Sequence, residues 1–271
     1  MKRVGLFYGD FDPATVKTVE YAAAQIKSKK LHEVWFVVSE GVNLRERIAM
    51  LKMIASRRKF RIYTQISLKD RRYEFIDITD PTLEVKELKF SDLKLLTGRQ
   101  KRYMTAHGLY LESISKSVLK EKRWEHVRRV ARLCSAFAIG NHLDPEKAYV
   151  SGILHDIAKE MKEEELKPVM DIYYPQHEHY NYHVWHQYVG AVMLERDLKC
   201  RDKKIIRAVK HHCLGDDKDP YSMMLYCADK LDPGREYDSS REIALCQQNI
   251  EEGYRTVMQQ QQEYLRKEGV I

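Results

Sequence analysis

A chain of 271 residues, 44% apolar and 32% charged, is long and apolar enough for packed cores, which argues against a disordered chain and points to two domains. The formal charge of +7 is a small excess of 47 basic over 40 acidic residues. Clusters such as LKDRRYE and GRQKRYM therefore read as solvated faces rather than a nucleic-acid footprint, and a phosphorylated small molecule suits the charge equally well. Five cysteines, odd in number and without CxxC spacing, argue against a disulfide framework or a thiolate zinc site.

In chain order, MKRVGLFYGD leads directly into a strand-like run with no apolar leader. No segment approaches the roughly 18 uninterrupted apolar residues of a membrane helix. The expected location is the cytoplasm. RVGLFYG, EVWFVVSE and KFRIYTQI read as strands separated by helical segments at 14–28 and 43–57, the alternation of βαβ units on a parallel sheet. YEFIDI and LEVKELKF are further strand candidates. Beyond residue 102 helical patterns take over: LYLESISKSVLK, EHVRRVARLCSAFAI, PEKAYVSGILHDIAKEM, HVWHQYVGAVMLERDL, KKIIRAVKHH, YSMMLYCADKL and REIALCQQNIEEGYRTVMQQQQEYLRK. QQQQ at 259–262 is too short for a low-complexity tract, and no internal repeat is evident.

His126 shares a helical face with Val130, Leu133, Cys134 and Phe137, so its imidazole is expected to point into the bundle. His155 and Asp156 lie among Val150, Ile153, Leu154 and Ile157, His186 precedes Val189 and Val192, His211 and His212 close a helical pattern, and Asp229 lies in LYCADKLDPGR. One histidine on an apolar face is more often a hydrogen-bonded core residue than a ligand. Four histidines and two aspartates at inward positions of one helical domain point instead to a metal. Imidazole and carboxylate suit iron, manganese, zinc or magnesium. A metal pair sharing a carboxylate would hold a hydroxide for in-line attack on phosphorus, so metal-assisted phosphoester hydrolysis is the expected chemistry.

The blocks RWEHVRRVA, GILHDIAKE, VWHQYVGAVML, HHCLGD and ADKLDPGR, in that order, resemble the HD phosphohydrolase superfamily and, within it, the YqeK-type branch with its AD-x-x-x-PGR signature. The resemblance covers about residues 108–250. It implies symmetrical hydrolysis of diadenosine tetraphosphate to two ADP at a di-iron centre, with manganese, cobalt or magnesium as alternative ions. It also implies that His126, His155, Asp156 and Asp229 hold one ion, that Asp156, His186 and His212 hold the second, and that Asp156 bridges them. Lys159 falls on the His155–Asp156 face and is expected to neutralise phosphate charge during catalysis. Arg235 either clamps a phosphate or pairs with Asp232. His211 is expected behind the ligands or facing substrate. The stretch YYPQHEHYNYHVWH, which contains His183, is either an aromatic wall for adenine or a surface loop. HHCLGD replaces the family's threonine-rich turn, and RRV stands where a small residue is usual after His126.

The N-terminal VGLFYGDFDPATVKTV resembles the opening of bacterial nicotinate-mononucleotide adenylyltransferases, GLFGGTFDPIHxGH, and RERIAMLKMIA resembles their next helix. The family's two loop histidines are replaced by Thr15 and Thr18, and the intervening glycine by Lys17. FSDLKLL lacks the arginine of the family's phosphate-binding ISSTxIR, MTAHGLY resembles its C-terminal segment, and the stretch between RRYE and FIDITDP is too short for the middle of the fold. Gly5, Tyr8 and Gly9 keep the strand-to-turn pattern, which leaves loose nucleotide binding or a stabilising or dimerising role.

The expected architecture is thus a truncated Rossmann-like nucleotidyltransferase α/β domain, residues 1–102, followed by an all-α HD-domain bundle, residues 103–271. The first is expected to be catalytically inactive, and the second to act on a dinucleoside polyphosphate. An HD mononucleotide phosphatase and a nucleotide-sensing regulator are the alternatives. The expected partner is a small nucleotide, with no membrane or nucleic acid, and a homo-oligomer is compatible with the pattern.

Overall fold

The computed structural model describes residues 1–235 and 237–269, and the chain divides into two units, Met1–Tyr103 and one beginning at Met104. In the first, β1 (Lys2–Gly9), α1 (Val16–Ser28), β2 (Glu33–Val38), α2 (Leu44–Ile54), β3 (Phe60–Tyr63) and β4 (Tyr73–Asp77) follow one another. The strands form one parallel sheet of order β3-β2-β1-β4, with Leu6 opposite Trp35 on one side and Asp77 on the other. Its strands read as apolar runs because both faces are covered. Phe7, Val34, Phe36 and Val38 pack with Val19, Ala22 and Leu51 of α1 and α2. On the opposite face Trp35 meets Tyr63, Tyr73 and Phe75 with ring centroids 4.8–5.6 Å apart.

Two strand expectations need correction. KFRIYTQI pairs only over Phe60–Tyr63. LEVKELKF forms no strand: Pro81 starts a 3₁₀ turn over Pro81–Leu83 in which the Asp80 carboxylate accepts from the Thr82 amide, and Phe90–Leu95 forms a second one. The chain between them anchors locally, with Leu88 buried and the Glu84 carboxylate accepting from the Asp10 amide at 3.1 Å. The edge beside β1 is taken by β4 instead.

From α3 (Gly98–Ala106) onward the described residues contain helices and turns only: α4 (Leu111–Lys116), α5 (Glu121–Gly140), α6 (Pro145–Leu154), α7 (Glu163–Tyr173), α8 (Trp185–Arg196), α9 (Lys203–His211), α10 (Pro220–Lys230), α11 (Ser240–Gln248) and α12 (Ile250–Lys267). Asp144, Asp202 and Asp219 cap α6, α9 and α10 through their carboxylates. The last helical pattern breaks in two at Asn249, whose side chain caps α12. No helix among the described residues is long and apolar enough to cross a membrane.

The contact that positions the site is between α5 and α6. A Cβ at Gly152 would lie 2.4 Å from the Ala131 Cα, so only glycine lets the backbones approach this closely. His126 lies just over one turn before Ala131, and His155 and Asp156 follow Gly152, so the same approach brings the three side chains together. The pattern PEKAYVSGILHDIAKEM, expected to be one helix, is not: α6 ends at Leu154, and His155 and Asp156 occupy a tight turn with Ile157 N bonded to Leu154 O and Lys159 N to Asp156 O. Bonds spanning three residues tighten the last turn and aim consecutive side chains into one space.

Candidate metal centre

Five segments deliver the inward groups: α5 brings His126, the end of α6 His155 and Asp156, the start of α8 His186, the end of α9 His212, and α10 Asp229. All six are buried, none more than 9% exposed. Three imidazoles share a device. Nδ1 of His155, His186 and His212 donates to the carbonyl three residues earlier, of Gly152, His183 and Val209, at 2.7–2.8 Å. A carbonyl only accepts, so the neutral ring carries its proton on Nδ1 and turns a bare Nε2 lone pair inward. His126 is held by Asp232 Oδ2 at 2.7 Å from Nδ1. Asp232 in turn takes both a bidentate bond from Arg129, at 2.6 and 2.9 Å, and the Gly234 amide.

The inward atoms then face one another. Asp156 Oδ1 lies 3.2 Å from His186 Nε2 and 3.6 Å from His212 Nε2. Its Oδ2 lies 3.4 Å from His155 Nε2 and 4.0 Å from His126 Nε2. Asp229 Oδ1 is 3.2 Å from His126 Nε2, and the Nε2 atoms of His186 and His212 are 3.2 Å apart. The buried Nε2 atoms of His126 and His155 make no hydrogen bond despite these carboxylate neighbours. Lone pairs aimed at lone pairs repel unless a cation lies among them, so the arrangement fits metal ions. Two sets of ligand atoms are clustered tightly enough for this: His126, His155 and Asp156, and His186, His212 and Cys213.

Charge in the cluster agrees with that chemistry. Burial pushes Asp156 up, but the histidines packed against it, His155 foremost, outweigh burial and hold the carboxyl well below the usual range. Burial also opposes the charge on Asp229, where Lys230 and His126 prevail in the same way. Burial lowers His186 and pushes His212 down to about 4, so both rings are neutral, as ligation requires.

The other expected site residues lie around this centre. Lys159 Nζ is 3.5 Å from His186 Nδ1 and from the His183 carbonyl, at the edge of the ligand set. His183 contributes that carbonyl, while its exposed ring packs on Tyr182. His211 turns away to Asp216, with Nδ1 2.7 Å from the carboxylate. Arg235 does not pair with the Asp232 side chain, which is already saturated; it donates to the Asp229 carbonyl at 2.9 Å. In the aromatic stretch His177 stacks on Tyr188 and on Tyr180, at 4.7 and 5.7 Å, so part of its ring surface is taken internally. Arg123, 3.1 Å from Asp156 Oδ2, was not foreseen, and neither were Arg129, Cys213 and the bond between Asp232 and His126. A cavity of about 330 Å³ opens beside His126, lined by Lys120, Lys122, Arg123, Arg129 and Arg235, of which Lys120 and Arg129 pair with Glu160 and Asp232 in the same wall.

Comparison with known proteins agrees with this geometry. A family model described as HD domain matches residues 123–234. The chain is 30% identical over 183 residues to a probable nicotinate-nucleotide adenylyltransferase/Ap4A hydrolase of Mycoplasma genitalium, covering 62% of this chain and 52% of that one. It is 28% identical over 134 residues to a symmetrical bis(5'-nucleosyl)-tetraphosphatase of Bacillus subtilis, covering 47% and 70%. A crystal structure of a predicted HD superfamily hydrolase involved in NAD metabolism, from Clostridium acetobutylicum, has the same fold over 59% of this chain and 87% of its own, with a TM-score of 0.52 at 20% identity. The chain spans about half the length of the curated adenylyltransferase/hydrolase relatives it matches. The stretch that matches the HD model is preceded by an α/β unit, an order that fits those two-part relatives.

Proposed function

We propose that the chain is a metal-dependent phosphohydrolase that cleaves dinucleoside polyphosphates, diadenosine tetraphosphate symmetrically to two ADP. The observation that carries this reading is the carboxylate of Asp156, whose two oxygens face two separate sets of imidazole nitrogens, Oδ1 those of His186 and His212 and Oδ2 those of His126 and His155. In this reading His126, His155, Asp156 and Asp229 would hold one ion, and His186 and His212 would hold the other, with Asp156 common to both sets. Bound there, two divalent ions, iron or alternatively manganese, cobalt or magnesium, supply an activated water and Lewis-acid stabilisation of phosphoryl oxygens.

The chain's own residues do the rest. Asp232 and the three carbonyls fix the rings, so no reorientation is needed on binding. Symmetrical cleavage breaks a P–O bond at the middle of the tetraphosphate, and the departing ADP carries off the electron pair as negative charge. That demands cations near the chain more than a proton donor. Arg123, Arg235 and the lysines of the neighbouring cavity supply them on one side and Lys159 on the other. His183 and His211 remain substrate-side positions at the rim.

The two relatives named for hydrolysis of Ap4A or bis(5'-nucleosyl) tetraphosphate support the substrate class. The α/β unit, residues 1–102 in this reading, is a truncated Rossmann-like adenylyltransferase fold without activity, joined to a hydrolase domain over 103–271. Its strand order 3-2-1-4 is the first part of the doubly wound order. Thr15 and Thr18, at the positions of the family's histidines, are buried against each other. Cytoplasmic location and homo-oligomer formation belong to the same reading. The test is chromatography of products from diadenosine tetraphosphate: ADP alone is expected. Equimolar AMP and ATP, or turnover of mononucleotides only, would overturn it.

A further inference from the structure

Cys213 brings a thiol to a centre whose expected ligands were imidazoles and carboxylates. It follows His212 directly, in a turn that closes when the Gly215 amide bonds to the His211 carbonyl at 2.9 Å, with Gly215 in the left-handed region at φ +63. The Cys213 amide donates to Gln187 Oε1 at 3.0 Å, and Gln187 is fully buried beside His186 on α8. This bond ties the turn to α8. Sγ then lies 3.3 Å from His186 Nε2 and 3.3 Å from His212 Nε2.

One thiol proton cannot satisfy both rings. Each has its own proton committed to a carbonyl, so each Nε2 needs a donor or a cation, and a single S–H serves one of them. Asp156 Oδ1, 3.2 and 3.6 Å from the same two nitrogens, adds another acceptor and no donor. Two nitrogens, a sulfur and an oxygen thus converge on one space, the mixed donor set of a tetrahedral site. On the other side of Asp156 the donors are His126, His155 and Asp229, with nitrogen and oxygen only.

We propose that Cys213 is a thiolate ligand of the ion held by His186, His212 and Asp156. The inference rests on the metal pair proposed above. Binding releases the thiol proton to solvent and transfers no electron. The two positions then differ in softness: the sulfur-containing one prefers zinc, cobalt or ferrous iron, and the other accepts harder ions such as manganese or magnesium.

The test uses the full chain loaded with cobalt(II). The wild type should show sulfur-to-cobalt charge-transfer absorption, and Cys213→Ser should lose that band while cobalt stays at the other position. Affinity at the altered position should fall on the order of 10- to 100-fold. X-ray absorption of the zinc-loaded wild type, which needs no variant to fold, should show a sulfur scatterer. Bound cobalt without the band, a band that survives in Cys213→Ser, or nitrogen and oxygen scatterers alone would overturn the ligand assignment and leave the proposed function standing. A chain that takes up no metal would overturn both.

Discussion

In the turn between β1 and α1, Thr15 and Thr18 are as buried as His155 and His186. Yet their hydroxyls lie 3.3 Å apart, the Thr15 amide donates to Thr18, and the buried Gln100 amide donates to the Ala14 carbonyl at 2.8 Å. Each hydroxyl can donate and accept, so that turn closes on itself. In the helical unit His155, His186 and His212 spend their ring protons outward, and inside, acceptor nitrogens and carboxylate oxygens outnumber the donors that Arg123, Lys230 and Cys213 bring. The first arrangement stabilises a fold and needs nothing more. The second is costly until a cation enters it, which is how a buried polar cluster comes to specify a ligand.

Several substitutions can break or sharpen that contrast. Asp156→Ala removes the carboxylate common to both sets of nitrogens, and hydrolysis should fall on the order of 10³-fold or more in steady-state assays. Retained turnover would remove the basis for treating the two clusters as one centre. Gly152→Ala forces a Cβ into Ala131 and should cost about 3 kcal/mol in denaturant unfolding, with metal affinity falling alongside because His126 and His155 separate. Loss of stability with unchanged metal binding would detach the helix contact from the site.

A smaller effect is expected away from the centre. Asp217 accepts a bidentate bond from Arg207, at 2.5 and 2.6 Å, and one from Ser222 at 2.7 Å. Burial raises its carboxyl, but these bonds outweigh burial and lower it. A depressed folded value means its contribution is complete above the ordinary aspartate value of about 3.9 and fades as pH falls through the lower folded one. Asp217→Asn should therefore cost about 2 kcal/mol at neutral pH, with the gap to wild type closing in acid. A constant gap across pH would contradict that linkage. Smallest of all, Thr18→Ala should cost about 1 kcal/mol in the α/β unit and leave hydrolysis unchanged. A catalytic defect in that variant would show that the turn does more than hold itself together.

The histidines and aspartates of the cluster were legible because they sit at helical spacing among residues that must be buried, as His126 does with Val130, Cys134 and Phe137. What surrounds them was not. Asp232 meets His126 across 106 positions of sequence, and Arg123 meets Asp156 across 33, distances over which periodicity carries no information. Cys213 was missed because five cysteines without CxxC spacing argued against a thiolate site; its place next to His212 was the available hint. LEVKELKF misled because Leu83 and Val85, and again Leu88 and Phe90, stand two apart, while Pro81 and the Asp80 cap had already committed the local backbone to a turn. The end of α6 at Leu154 was hidden as well, since the apolar pattern continues through Ile157 and Ala158 after the helical bonding has changed.

The measurement that reaches the central claim most directly is elemental analysis of the full chain after reconstitution and removal of free metal. The account predicts two ions per chain in the wild type and one in His186→Ala, because His126, His155, Asp156 and Asp229 remain. A wild-type chain that retains no metal would contradict it.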